Sequence, residues 1–432
     1  MGRPFEKLPL ADAVGRLRPG QKVLLPPGSA EPAAFIEELC RQADRLAPLT
    51  LMGGLLLGDY PFLRPEHARH FQWVTWQLMP PASAAWERGQ AHLVPARYFD
   101  ALSLFGRGGP WAPDVVIVHA TPPDRHGYLS LGVSVSYPLL AAREAPLVIA
   151  QVNPRMPRTL GNAFLHRSQI DCWAEADSPL VEYPPAAVGP AEREIAARVA
   201  RLIPDGATIQ LGVGSIPQAI MEALGEKRDL GVHSLLVDSV LPLIEKGVIT
   251  NARKTLHPGR MDIGEAMGTR TLFDFVHNNP MVNMEPSDII HDPQVVGRIR
   301  DFISINSAFE VDLAGQVNAE MVGPRQLTGI GGQFDYVLGA SRAPGGASII
   351  ALPSTGKGGA VSRIVARLGE GASVTTPRYL ADWVVTEHGA VRLTGLDGAE
   401  RARALVGLAD PKFRDELRGS GRRFPGRWGS GG

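Results

Sequence analysis

Short apolar runs rich in branched side chains recur along the chain, separated by stretches with helical spacing. Residues 49–57, 115–119, 147–153 and 347–352 are such runs. The apolar, β-forming character of 49–57 and 115–119 predicts strands covered on both faces, as in a parallel sheet, because a half-solvated strand would alternate, and 147–153 and 347–352 are read as further strands. Residues 304–312 do alternate and are predicted as one strand, turned by residues 315–318. Helical spacing marks residues 192–202 and 218–224, so strands and helices follow one another as in an α/β fold.

The clearest unit is residues 209–238, a strand, a glycine turn, a helix and a second strand. The first strand runs into Gly212, Val213 and Gly214, and Pro217 then sits in the first helical turn, where its missing N–H removes no helix bond. Backbone amides are bared at such a helix start. They can hold a phosphate, or the oxyanion that forms when a thioester carbonyl is attacked. The same residues would equally serve a tight turn with no ligand.

Residues 16–39 repeat this plan. Laid without gaps on residues 201–224, they match at Arg16/Arg201, Leu17/Leu202, Pro19/Pro204, Pro32/Pro217, Ala34/Ala219, Glu37/Glu222 and Leu39/Leu224. A constant offset of this kind predicts an internal duplication. The expected fold is α/β, two tandem similar open α/β domains, with the ligand between them at the carboxyl ends of the strands. The proline-dense stretch 177–190 sets the boundary. Domains are therefore expected at residues 1–185 and 186–418, followed by a flexible tail at 419–432 that has little apolar surface to bury.

Composition narrows the function. Lysine plus arginine balance aspartate plus glutamate at 44 each, so no net field draws the chain to nucleic acid or to an anionic membrane. Two cysteines, Cys40 and Cys172, fit neither a disulfide framework nor a zinc cluster and suit a cytoplasmic protein. The N-terminal residues carry charges and lack the apolar core of a signal peptide, and no apolar run approaches the roughly 18 residues of a membrane span.

Two more glycine turns follow strands. One spans 328–336 with Gly329, Gly331 and Gly332, and the other spans 354–359 with Lys357. The latter lacks the spacing of a nucleotide P-loop. Neither fits a nicotinamide dinucleotide fingerprint. Three such turns in one half suggest one extended phosphate-bearing ligand. Asp124 and His126 stand in a loop of turn residues, either as a catalytic pair or as braces of the loop.

Together, residues 122–127, 210–214 with Pro217, 315–318, 329–335, 358–365 and 384–389 resemble the acetyl-CoA hydrolase/transferase family, in its 4-hydroxybutyrate CoA-transferase branch. The resemblance runs in order over nearly the whole chain. It implies two domains of the CoA-transferase, NagB/RpiA-like fold, a homo-oligomer, and coenzyme A or a short-chain acyl-CoA as substrate with a small carboxylate as acceptor and no metal. It also implies a glutamate that attacks the thioester and carries CoA as a glutamyl thioester. That glutamate is expected in residues 231–239, where this chain has Leu235, and the run to Glu245 is about one residue short of the family's. By the same resemblance the Val213 and Gly331 backbones would form the oxyanion pocket and Asn279 would flank the acyl group. Gly212 and Gly214 would lie in the cofactor turn, and Gly329, Gly332 and Lys357 would contact CoA. Asp238 is the carboxylate nearest in sequence to the vacancy and the candidate nucleophile. Because leucine cannot form an acyl anhydride, an acyl-CoA lyase or decarboxylase on the same scaffold, or a CoA-binding protein without transferase activity, stays open beside CoA transfer and hydrolysis.

Overall fold

The computed structural model describes residues 2–421. The first half contains β1 (Glu6–Lys7), α1 (Leu10–Gly15), β2 (Lys22–Leu24), α2 (Ala33–Arg41), β3 (Leu49–Gly53), β4 (Phe71–Thr75), β5 (Ala91–Leu93), β6 (Val115–Ala120), α3 (Ser136–Glu144), β7 (Leu147–Val152) and β8 (Cys172–Glu175). The second half contains α4 (Pro190–Leu202), β9 (Thr208–Leu211), α5 (Ser215–Ala223), β10 (Gly231–Leu236), β11 (Met261–Ala266), α6 (Arg270–Val276), β12 (Val282–Met284), β13 (Phe302–Ser307), β14 (Glu310–Asp312), α7 (Gln333–Arg342), β15 (Ala347–Ala351), β16 (Thr355–Gly356), β17 (Val361–Ser362), β18 (Trp383–Thr386), β19 (Gly389–Arg392), α8 (Gly398–Leu408) and α9 (Arg414–Gly421). Residues 419–421 of the expected tail complete α9, and the rest of that tail lies outside the described residues.

Two compact units result. Unit 1 comprises Met1–Pro184, Ser234–Asp238 and Arg260–Asp292, and the remaining described residues make unit 2. The units do not follow the linear halves, because strand ends from the second half bond into first-half loops. Within unit 1 the Ala266 N–H donates to the Val133 carbonyl at 2.8 Å and the Met284 N–H to the Leu160 carbonyl at 2.9 Å.

The main sheet of unit 1 has the order β1-β8-β7-β6-β2-β3-β4-β5. Every pairing in it is parallel. β6 is buried along its whole length, as its apolar run requires. Phe35 and Ile36 of α2 pack with Leu51, Trp73 and Ile149 in one core. Cys40 and Cys172 are free thiols in that core, and burial pushes both up to about 11.

In unit 2 the first residues of β10, Gly231–His233, lie beside β9 in the strand order β10-β9-β13-β15-β18-β19, parallel except for the β18–β19 hairpin. The duplicated segments run helix, strand, turn, helix in both halves. The offset of 185 carries β2 onto residues 207–209, overlapping β9, and α2 onto residues 218–226, overlapping α5. The single strand expected at 304–312 is two, β13 and β14. Its alternation had a different cause. The Ser304 hydroxyl and the Asn306 amide both donate to the Gln210 side-chain oxygen, at 3.0 and 3.3 Å, so the polar positions serve a bonded network and not a solvated face. No described helix is long and apolar enough to cross a membrane.

Candidate active site

In unit 2 the chain leaves β9 for β10 on one side, while β13 lies on the other. The loops after β9 and β13 therefore diverge at the carboxyl ends of adjacent parallel strands, the place where such sheets leave a crevice. A cavity of about 310 Å³ lies there, lined by Val213 and Gly214 with Ser215, Ile216 and Pro217 of the first turn of α5, and by Ser307 at the end of β13 with Ala308 and Phe309 after it. Gly214 caps α5 with φ 118° and ψ −175°, a conformation reserved for glycine. The first N–H groups of α5 have no partner within the helix, so the helix start presents donors and a positive dipole end toward this lining.

Glu192 and Arg363 complete the polar part of the wall. Burial pushes the Arg363 guanidinium below its usual value, while the carboxylates of Glu310, Glu387 and Glu192 act to keep it charged. The strand ends beneath are tightly held. Glu387 accepts the Ser354 N–H at 2.8 Å and the Ser354 hydroxyl at 2.6 Å, and the Ser354 carbonyl in turn accepts the Arg363 N–H at 2.8 Å. A cation and a helix start on one small cavity form a site for an anion, or for a carbonyl oxygen gaining charge.

The sequence-expected residues divide between places. Val213 and Gly214 line the cavity, and Gly212 precedes them in the same turn. Gly329, Gly331 and Gly332 form the loop before α7, with Gly331 at φ 59° and Gly332 as the helix cap. Lys357 is exposed at the tip of the β16–β17 hairpin with φ 50°. None of these four is among the described lining of the cavity.

In unit 1, Asn279 caps a turn ahead of Pro280. Its side-chain oxygen accepts the Met281 N–H and its amide donates to the Phe275 carbonyl, both at 3.0 Å. Asp238 accepts the Thr269 N–H at 2.9 Å and the Thr269 hydroxyl at 2.6 Å, which ties it to the residue that caps α6. Leu235 is half-buried near the end of β10, directly after Ser234 at φ 90°. Asp124 accepts the His126 and Tyr128 N–H groups and pairs with Arg158 at 2.9 Å. Those backbone bonds hold its carboxyl below the usual range. The loop-bracing alternative describes it.

Sequence reasoning missed four charged groups. Arg363 lies inside the 358–365 motif and Glu192 opens an expected helix, yet nothing in the one-dimensional pattern aims either at a cavity. Glu31 and Glu265 are almost fully buried in unit 1, and burial pushes each up to about 7. Both stand in apolar or turn-like contexts that a linear reading assigns to packing. Among the described residues, no group of three or more His, Cys, Asp or Glu is placed to hold a metal.

Family profiles match most of the chain. The acetyl-CoA hydrolase/transferase N-terminal domain matches residues 5–182 and the C-terminal domain residues 268–420. The 4-hydroxybutyrate coenzyme A transferase of Clostridium kluyveri is 41% identical over 414 residues, covering 95% of this chain and 96% of that protein. The chain belongs to the acetyl-CoA hydrolase/transferase family. Two solved structures agree in fold and cover 97% of both chains. RipA from Yersinia pestis superposes with a TM-score of 0.91 at 34% identity, and the 4-hydroxybutyrate CoA-transferase from Porphyromonas gingivalis with 0.84 at 36%. As a member of the acetyl-CoA hydrolase/transferase family, the protein is an enzyme of acyl-CoA thioesters, a CoA-transferase or hydrolase. The family profiles leave unmatched the stretch 183–267, which holds Val213, Leu235, Asp238 and Glu265.

Proposed function

We propose that the enzyme passes CoA from a short-chain acyl-CoA to a small carboxylate, with hydrolysis when water takes the acceptor's place. The observation that carries this is the cavity at the start of α5, where bared N–H groups and the half-buried Arg363 share one wall. Such a wall steadies both the anionic ligand and the oxyanion of thioester attack. The Val213 and Gly331 amides are assigned to that oxyanion, Asn279 to the acyl flank, and Gly212, Gly214, Gly329, Gly332 and Lys357 to CoA. The enzyme is read as a metal-free cytoplasmic homo-oligomer with no nucleic-acid or membrane partner. Relatives named 4-hydroxybutyrate coenzyme A transferase and butyryl-CoA:acetate CoA-transferase support the transferase reading.

Leu235 favours a second reading. An oxyanion pocket can stabilise a thioester enolate without any carboxylate nucleophile, as a decarboxylase or other lyase requires. Asp238 is the sequence-nearest substitute nucleophile, but both of its oxygens already accept bonds from Thr269, which favours a bracing role. Incubation with a panel of acyl-CoAs and carboxylates separates the readings. New CoA esters or free CoA are expected, and carbon dioxide release without ester exchange would replace transfer by the lyase. Calorimetry showing no binding of CoA or acetyl-CoA would remove both.

A further inference from the structure

A CoA-transferase of this family without a carboxylate at position 235 needs one from elsewhere, and the local backbone indicates where. Ser234, next to the vacancy, keeps a left-handed φ of 90° inside a strand. Strain of this kind persists where the surroundings hold it, and it gathers at functional sites. Strands β10 and β11 are neighbours in one sheet, and the Met267 N–H just past β11 donates to the Leu236 carbonyl at 2.9 Å. In the parallel ladder of this protein such a bond fixes the register. The equivalent bond from the Leu352 N–H to the Val385 carbonyl accompanies the pairing of Ala351 with Val385. Ala266 therefore lies beside Leu236, and Glu265 beside Leu235. Leu236 and Ala266 are fully buried, Leu235 is half-buried, and Glu265 retains 8% exposure. Lateral partners in a parallel ladder project from one face about 4.8 Å apart.

The carboxylate of Glu265 is also held in place. The Tyr98 hydroxyl donates to its Oε1 at 2.5 Å, and the Tyr98 ring is itself fixed by stacking on His291 at 4.5 Å. Burial is the largest influence on its pKa and raises it, the Tyr98 hydroxyl opposes this, and no cation contributes. A buried carboxylate without a cationic partner is costly to keep for packing alone.

We propose that Glu265 is the nucleophile of this enzyme, the carboxylate having moved one strand sideways from position 235. The inference rests on the transferase reading. A Glu265 oxygen attacks the thioester carbonyl carbon, a C–O bond forms, and the C–S electron pair leaves with the CoA thiolate. The thiolate attacks the Glu265 carbonyl carbon of the resulting anhydride, and the original acid departs as its carboxylate. The acceptor carboxylate then attacks this glutamyl thioester, expelling thiolate. The thiolate closes the cycle at the acceptor's carbonyl and restores the Glu265 carboxylate, with no net proton transfer. Tyr98 positions the nucleophile.

The test uses the full-length enzyme with an acyl-CoA that the panel shows to be a substrate. After incubation without acceptor, borohydride reduction, digestion and mass spectrometry should find the reduced residue at Glu265. A mark at Asp238, or ester exchange with no mark at Glu265, overturns the inference while leaving the transferase reading intact. An absence of ester exchange and hydrolysis with every acyl-CoA overturns both. Glu265→Gln should retain the thermal midpoint and lose on the order of 10⁶-fold in kcat, the scale seen on loss of a covalent nucleophile. Retained rate in that variant refutes the role. The kcat/KM of the parent should rise about tenfold between pH 6 and pH 8 as the carboxyl ionises, and Tyr98→Phe should move that profile. A flat profile also counts against it.

Discussion

Two buried groups in unit 1 give the protein opposing pH dependences. Glu31 accepts the Leu57 N–H at 2.5 Å and the Gly58 N–H at 3.0 Å, yet burial outweighs these bonds and pushes its carboxyl up to about 7. The folded state thus holds a proton that the unfolded chain releases near 4.5. Stability from this group is full below pH 4.5 and is lost as the pH rises to about 7, a change of roughly 3 kcal/mol. His119 behaves in the opposite sense. Burial pushes it down to about 4 against its bond to the Ala30 carbonyl, so its contribution is full above about 6.5 and is lost as the pH falls toward 4. Urea midpoints at pH 4.5 and pH 7 should show that Glu31→Gln loses about 3 kcal/mol less than the parent over this interval. At the cavity, Arg363 can donate to an anion from a partly desolvated position. Arg363→Ala should raise KM for acyl-CoA about 10- to 100-fold, in line with one charged hydrogen bond of about 1.5–3 kcal/mol. An unchanged KM in steady-state kinetics would place the CoA anion elsewhere.

At the scale of elements, the start of α5 and the cap of α6 make separable expectations. A Cβ added at Gly214 would meet nothing within 4 Å, so the obstacle to substitution is torsional and not steric. Gly214→Ala should cost about 1–3 kcal/mol or turn the loop away from its geometry. Calorimetry would register this as weaker CoA binding, alongside a lower thermal midpoint. Asp238 acts on a different helix. Asp238→Ala leaves the Thr269 N–H and hydroxyl without their acceptor and should destabilise by about 0.5–2 kcal/mol. If Asp238 braces and does not react, the variant retains kcat below its melting temperature. A large loss of kcat with an unchanged melting temperature would return the nucleophile to Asp238.

For the whole molecule, the discontinuity of unit 1 has consequences for dissection. Residues 2–184 contain the main sheet, but the 133–135 and 158–162 loops bond to 264–266, 278 and 284. The Val135 N–H donates to the Gly264 carbonyl at 3.0 Å and the Asn278 N–H to the Arg158 carbonyl at 2.7 Å. Deleting the second half leaves those backbone groups and the apolar faces of β11 and β12 without partners. Expressed alone, residues 1–184 should be cleaved by protease within 120–184 far faster than the same loops in the full chain, as mapped by peptide mass spectrometry. Equal protection would show that unit 1 folds from the first half alone.

Local pattern sufficed for much of this molecule. The apolar runs at 115–119, 147–153 and 347–352 became buried parallel strands because burial on both faces leaves a continuous apolar signature. The Gly214–Pro217 turn became a helix start because glycine torsion and the missing proline N–H act within a few residues. Leu235 was visible as a vacancy because motif order is linear. Tertiary structure alone decided the remainder. Ser304 and Asn306 could not be told from solvent-facing positions until Gln210 was found beside them. Arg363 reaches its cavity, and Glu265 its place beside Leu235, through pairing of strands far apart in sequence. A carboxylate's solvation and lateral neighbours are set by that pairing, and no stretch of chain around Glu265 encodes them by itself.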